Sequence, residues 1–408
     1  MQQVNQLLDN LSQLAAKSPP KTEEGQKLLG DVVRAEQEVR TQELAEHYNL
    51  AESLDPGKAR EIGHEIKQGS TDDDSSRKEW LDMHEFWLRL YMQTDYAQNS
   101  DQERDWGSTE SVPVLTEACD QFQSRSYKAF FPGKTFVSAI PLTHTEDQKK
   151  REMLKQRAER VGRHLSWQLG IKDKNYKKDK RALFLGTALH GSFFTKTYFD
   201  TAKNRVVVDN VRPTDFVIDY KVGPRRIEDV RRKSHIIYTT VGETQILANK
   251  GFLIHAAKPD LAGSNSSYDK AVDESQGITQ SNVSIRHSMP VRIIEQQFYL
   301  DIDDTGNFLP YIGTIDLSSG ELLRLCIDYE SDLAGVPLKD YQQNQYYTHY
   351  LFAENPDGFY GLGLGHKIGD LNSAINIMMR QAIDAATLAN DGNNSGYISE
   401  RLCLYGLS

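Results

Sequence analysis

Residues 355–390 read NPDGFYGLGLGHKIGDLNSAINIMMRQAIDAATLAN, and this stretch decides how the rest of the chain is understood. Beyond the glycines Gly358, Gly361, Gly363 and Gly365, apolar residues fall at Ile368, Leu371, Ile375, Met378, Ala382, Ala385 and Ala389. These steps of three and four are helical spacing. One helix over 366–391 would be about 39 Å long at 1.5 Å per residue. Its other side carries His366, Asp370, Ser373, Arg380, Asp384, Thr387 and Asp391, interrupted by Ile377, Ile383 and Leu388. A helix with one seam and apolar intrusions elsewhere is expected to touch neighbours on several sides, as in a bundle or a ring of subunits. The glycine entry reads in two ways on physics alone. One is a phosphate-cradling loop, against which stand the GxGxG spacing and the missing GK[ST]. The other is a hinge before a long packed helix.

The 408 residues suffice for two or three domains, each with its own core. Hydrophobic residues make up 38%, and no apolar run is long enough to span a membrane, so a soluble chain with no membrane partner is expected. The opening MQQVNQLLDN lacks the basic and apolar parts of a secretory signal. Cys119, Cys326 and Cys403 are odd in number and far apart, which argues against a disulfide framework or a thiolate metal site and for a reducing compartment. A net charge of -10 argues against gripping nucleic acid over the whole surface.

In chain order, helices are expected over 4–16 and 22–54, then a turn at Asp55-Pro56-Gly57 and an acidic linker, GSTDDDSS, over 69–76. Trp80, Met83, His84, Trp87, Leu88 and Tyr91 predict an amphipathic helix. Pro113 opens another with Leu115, Cys119, Phe122 and Ala129 inward, closed by Phe130-Phe131-Pro132-Gly133. The β-branched alternation of 134–140 predicts a strand. A basic helix over 146–170 has Leu154, Ala158, Val161 and Leu165 as its expected seam. Interspersed acids and the lack of aromatics at stacking intervals make its basic side a solvated or partner-facing surface rather than a nucleic-acid patch. Strands are expected at 192–199, 205–211 and 234–240, a helix at 241–250, a mobile loop at 258–288, and three strands of one small antiparallel sheet at 291–300, 308–317 and 322–327. The fold class is α+β.

No catalytic constellation emerges, and neither an enzyme activity, a cofactor nor a metal is expected. Asp215, Asp219 and Lys221 imitate a metal-dependent nuclease triad, but the first carboxylate lies too close to the pair that follows. Residues 301–307, DIDDTGN, imitate a calcium loop through Asp301 and Asp303. Position twelve is Ile312 rather than Glu, so a hairpin turn is the better account.

Several segments, in order, resemble the portal, or head-to-tail connector, proteins of tailed bacteriophages, most closely those of short-tailed phages. Residues 105–136, DWGSTESVPVLTEACDQFQSRSYKAFFPGKTF, are similar to that family's early helix with its terminal LFP element. Residues 179–200, DKRALFLGTALHGSFFTKTYFD, are similar to its helix-then-strand unit, and 210–219, NVRPTDFVID, to the strand that follows. Residues 291–313, VRIIEQQFYLDIDDTGNFLPYIG, resemble the small β module called the clip, and 358–390 resemble the glycine-led stem helix.

The resemblance implies a homo-oligomeric ring, usually a dodecamer, at one capsid vertex of the virion, assembled in the host cytoplasm. Double-stranded DNA passes through it without sequence specificity during packaging and ejection. Its implied partners are the terminase large subunit, a tail adaptor, and capsid or scaffold proteins. It divides the chain into a helical N-terminal arm (1–76), an α+β wing region (77–240), a stem-entry helix and mobile loop (241–290), a β-rich clip (291–345), and a glycine hinge with the long stem helix (346–408). The tunnel loop, wing helix and crown that follow the stem in portals have no counterpart here. Gly358, Gly361, Gly363 and Gly365 are then the hinge, and Ile368, Leu371, Ile375, Met378 and Ala382 the packing seam. Asp370, Arg380 and Asp384 form the face turned to a channel or a neighbouring subunit. The rival expectations are a metal-dependent nuclease of the packaging machinery and a non-ring structural scaffold.

Overall fold

The computed structural model describes residues 49–94, 108–133, 135–142, 147–200, 205–219, 226–259, 267–277, 285–302, 306–329, 342–356 and 358–390. The helix expected over 4–16, and residues 22–48 of the one expected over 22–54, lie outside these. Residues 49–52 form a single 3-10 turn, Leu50–Glu52, in which the Asn49 side chain accepts from Ala51 N.

Helix α1 (Pro56–Ser76) begins where Asp55 accepts a hydrogen bond from Gly57 N and Pro56 occupies the first helical position. It runs through GSTDDDSS, so the expected acidic linker is instead its last two turns. Each of the three acids has a partner. Asp73, buried, takes both Arg232 nitrogens at 2.8 Å, Gln68 donates to Asp72, and Arg77 binds Asp74. These contacts offset the poor helix propensity of the run. After Arg77, helix α2 (Lys78–Tyr91) turns away and buries His84, Trp87, Leu88, Arg89 and Leu90, while Met83 of the expected stripe is exposed.

Helix α3 (Val114–Phe130) starts at Pro113 as expected and buries Leu115 and Cys119, with Ala129 exposed rather than inward. The strand expected at 134–140 is absent from the described residues 135–140, which run without a partner strand against helix α4 (Gln148–Trp167). Val137 N donates to Ser166 Oγ, and a Cβ on Gly162 would sit 2.9 Å from Val137 O. The buried line of α4 is therefore Gly162 and Ser166. Val161 and Leu165 of the expected seam are exposed. A π turn, Gln168–Lys172, leads to helix α5 (Tyr176–His190), which ends on Gly191 at φ +84°.

Strands β1 (Ser192–Asp200) and β2 (Arg205–Val211) pair antiparallel, and β8 (Tyr347–Leu351) joins the other edge of β1, giving the order β2-β1-β8. The second sheet has five antiparallel strands in the order β3-β4-β5-β6-β7: β3 (Phe216–Ile218), β4 (Lys233–Thr240), β5 (Pro290–Leu300), β6 (Leu309–Asp316) and β7 (Leu322–Ile327). It is thus larger than the expected three-stranded module, because Ile236 and Ile237 of β4 pair with Ile294 and Ile293 of β5. Helix α6 (Val241–Asn249) follows β4 through a capping box of Thr240 and Glu243. Within the expected mobile loop lies helix α7 (Ser267–Ser275), with Tyr268 and Ala271 buried in the cluster that also holds Trp87 and Leu88 of α2. The last described element is α8 (Leu364–Asn390).

The largest core forms where Ile62 and Ile66 of α1 pack on Ile294, Phe298, Tyr311, Ile315, Leu322 and Leu325 of the five-stranded sheet. Such side chains contribute about 1.5–3 kcal/mol each on full burial. Gly313 admits the crossing helix, since a Cβ there would lie 2.5 Å from Ile66 Cδ1. The architecture is α+β, with eight helices and two antiparallel sheets among the described residues. No described helix is long and apolar enough to cross a membrane.

Candidate functional site on the last helix

Helix α8 presents to its own chain the side that is small and polar. Its buried residues are Gly365, Gly369, Asn372 and Asn376. The indole of Trp87 lies against the two glycines: a Cβ would come within 2.5 Å of it at Gly365 and 2.8 Å at Gly369. From there the contact line continues at every fourth residue. Asn372 Oδ1 accepts from Leu115 N at 2.8 Å, Asn376 Oδ1 from Val112 N at 2.8 Å, and Asp384 Oδ1 from Ser108 N at 2.7 Å. Between them, Arg380 Nε donates to Glu110 O at 2.8 Å and Asn376 Nδ2 to Ser111 Oγ. This ladder satisfies the backbone of 108–115, including an N–H of the first turn of α3 that no intrahelical carbonyl can reach.

Most of the expected seam is therefore turned away from that contact, although Ile368 packs against the cluster that holds Trp87, Leu115 and Cys119. Leu371 is 60% exposed and Met378 69%, Ala382 is exposed, and Ile368 and Ile375 are half-buried. Ile377, Met379 and Leu388 add further exposed apolar surface. Of the residues expected on an exposed face, Asp370 is exposed, whereas Arg380 and Asp384 hold the 108–110 backbone.

The glycines before α8 are sites of close approach. None of Gly358, Gly361, Gly363 and Gly365 has positive φ. A Cβ on Gly363 would lie 2.4 Å from Gly191 N, and one on Gly361 2.6 Å from Gly191 O. Gly361 N donates to Ser192 Oγ, Leu362 N to Ala353 O, and Phe352 N to Gly191 O, which ties the entry of α8 to the junction of α5 and β1. Gly358 N donates to Asn355 O.

Beneath this entry lies a group of histidines that sequence spacing did not bring together. The His84 ring is 5.0 Å from that of His190 and 5.7 Å from that of His366, whose ring in turn lies 4.1 Å from Trp87. Burial pushes His84 down to about 3 and His366 to about 4, and holds His190 well below the ordinary imidazole value. His84 Nδ1 faces Trp80 O at 2.7 Å and Nε2 faces His190 O at 3.2 Å. A neutral ring donates to only one of these carbonyls. His190 Nε2 meets Tyr268 OH at 3.0 Å.

The residues that imitate catalytic or metal motifs are occupied otherwise. Asp215 is bound by Arg212 at 2.6 and 3.2 Å, and Arg212 also reaches Asp269. Asp219 lies 3.9 Å from Arg232, and Lys221 is outside the described residues. Asp301 Oδ2 accepts from Gly306 N within the β5–β6 connection, while Asp303 is outside the described residues. Among the described residues no three His, Cys, Asp or Glu side chains converge on a point that could hold a metal. Neither a protein family nor a curated protein matches the chain.

Proposed function

We propose that the chain is a subunit of a portal ring, the structural channel at a capsid vertex through which a terminase motor drives double-stranded DNA and to which the tail attaches. The observation that carries this reading is the orientation of α8. Its glycine and asparagine face is used up within the chain, and its apolar side, centred on Leu371 and Met378, is exposed. Apolar surface repeated along a 27-residue helix favours association through burial. Subunits related by rotation close such heterologous contacts into a ring. The net charge of -10 suits a wall past which DNA slides without adhering. The ordered resemblance of five segments to portals supplies the identity of the ring.

The test is the double change Leu371→Asp with Met378→Asp. Both side chains are exposed in the single chain, so the variant keeps its circular dichroism spectrum and thermal midpoint. Each buried carboxylate would cost several kcal/mol at a subunit contact. Sedimentation is expected to show the ring lost and the folded monomer retained. Rings of undiminished yield from this variant would refute the assignment of α8.

A further inference from the structure

A groove of about 850 Å³ runs between α1 and the turn joining β6 to β7, lined by Arg60, His64, Lys67, Thr71, His255 and residues 319–322, among others. Its construction begins with Gly63, where a Cβ would stand 2.4 Å from Gly320 O; only glycine lets the turn approach the helix this closely. Gly320 itself adopts φ +75° and packs on the Lys67 stem, while Lys67 Nζ donates to Ser318 O at 3.1 Å. The ammonium is thus held at the mouth of the turn by a neutral acceptor.

The charges in the groove are one-sided. Arg60, His64, Lys67 and Thr71 follow the i, i+4, i+7, i+11 line of one helix face. Among the described residues, Arg60, His64 and Lys67 have no acidic partner. The one carboxylate in the lining, Glu321, is already bound by Lys258 and faces His255 Nε2 at 3.8 Å. Of the neighbouring acids of α1, Asp72 takes Gln68 and Asp73 takes Arg232, while Glu61 and Glu65 are exposed. A basic groove on a chain of net charge -10 is a local reversal of the protein's field.

We propose that this groove binds phosphate groups in series, as in a polyphosphate ligand or the backbone of a nucleic acid. Arg60 to Lys67 span about 10 Å along the helix, so more than one phosphate of a chain can face the row. Phe, Tyr and Trp are missing from the lining, so the groove holds phosphate and offers no platform for bases. The site stands apart from α8 and does not depend on ring formation.

The experiment is calorimetric titration of the full chain with tripolyphosphate at low ionic strength. Saturable binding is expected, weakened about tenfold or more by Arg60→Gln with Lys67→Gln, and restored most of the way by Arg60→Lys in place of Arg60→Gln. A control pair on the basic helix α4, Lys149→Gln with Lys155→Gln, is expected to leave the affinity unchanged. Failure of tripolyphosphate to bind, or equal binding by the Arg60/Lys67 variant, would overturn the proposal; so would equal weakening by the α4 control. A short DNA duplex then separates the two sources. Displacement of tripolyphosphate by the duplex assigns the groove to a nucleic-acid backbone, and persistence of tripolyphosphate assigns it to a free phosphate compound.

Discussion

Acidification from pH 7 to pH 5 is expected to remove about 4 kcal/mol of folding stability, a large part of what a typical chain possesses. Burial holds His84 down at about 3, and His235 and His349 at about 4. A depressed folded pKa contributes stability that is present above the unfolded value of 6.5 and lost as the pH falls toward the folded one. Each of the three then loses about 2 kcal/mol by pH 5. His190, held well below 6.5 by burial, acts in the same direction, as does the more exposed His366, held at about 4. Asp328 opposes them. Burial raises its carboxyl to about 7 from an unfolded 3.8, so its contribution is present below 3.8 and lost as pH rises through 7. It returns about 2 kcal/mol on going from pH 7 to pH 5, which does not offset three histidines. Lys233, lowered by burial to about 8, has already lost its contribution by pH 7 and stays level across this window. Urea unfolding followed by circular dichroism at the two pH values measures the difference. Equal or greater stability at pH 5 would show that these rings are hydrated or already protonated in the folded chain.

Replacing Arg77 with Met is expected to cost about 3–5 kcal/mol, although the side chain sits between two exposed-looking segments of sequence. The guanidinium is buried at the junction of α1 and α2 and donates to three carbonyls: Pro213 O at 2.8 Å, Thr214 O at 2.5 Å and Phe216 O at 3.0 Å. It also binds Asp74, whose carboxylate is partly in water. Met keeps much of the volume and packing, so the loss isolates the unsatisfied carbonyls of the segment entering β3. Arg77→Lys is expected to recover only part of it, because one ammonium cannot reproduce the fork across three acceptors. A thermal midpoint for Arg77→Met within a degree or two of the parent would contradict this role.

Local chemistry legible in the sequence carried much of the fold, and long-range pairing carried what was not. The period of three and four in 366–391 located α8 at Leu364–Asn390, and alternation located β1, β2 and the β5–β7 strands to within a residue or two. The same pattern misplaced the inward face of α8. Apolar periodicity shows that a seam exists but not whether its partner lies in the same chain. Asn372 and Asn376 became buried because backbone groups more than 250 residues earlier required acceptors. GSTDDDSS looked like a linker because Arg232 is 159 residues from Asp73. Residues 135–140 had the composition of a strand, but the neighbour that reached them was a helix with Gly162 and Ser166 facing them. The histidine cluster had no sequence signature, since His84, His190 and His366 meet only where α2, α5 and α8 cross.

The mass and shape of the purified chain, by mass photometry with negative-stain imaging, decide whether α8 builds a ring. A closed ring of about twelve copies with a central hole is expected, built through the exposed seam of α8. A particle population that remains monomeric at micromolar concentration and above would contradict it, leaving Leu371 and Met378 exposed with no second copy to cover them.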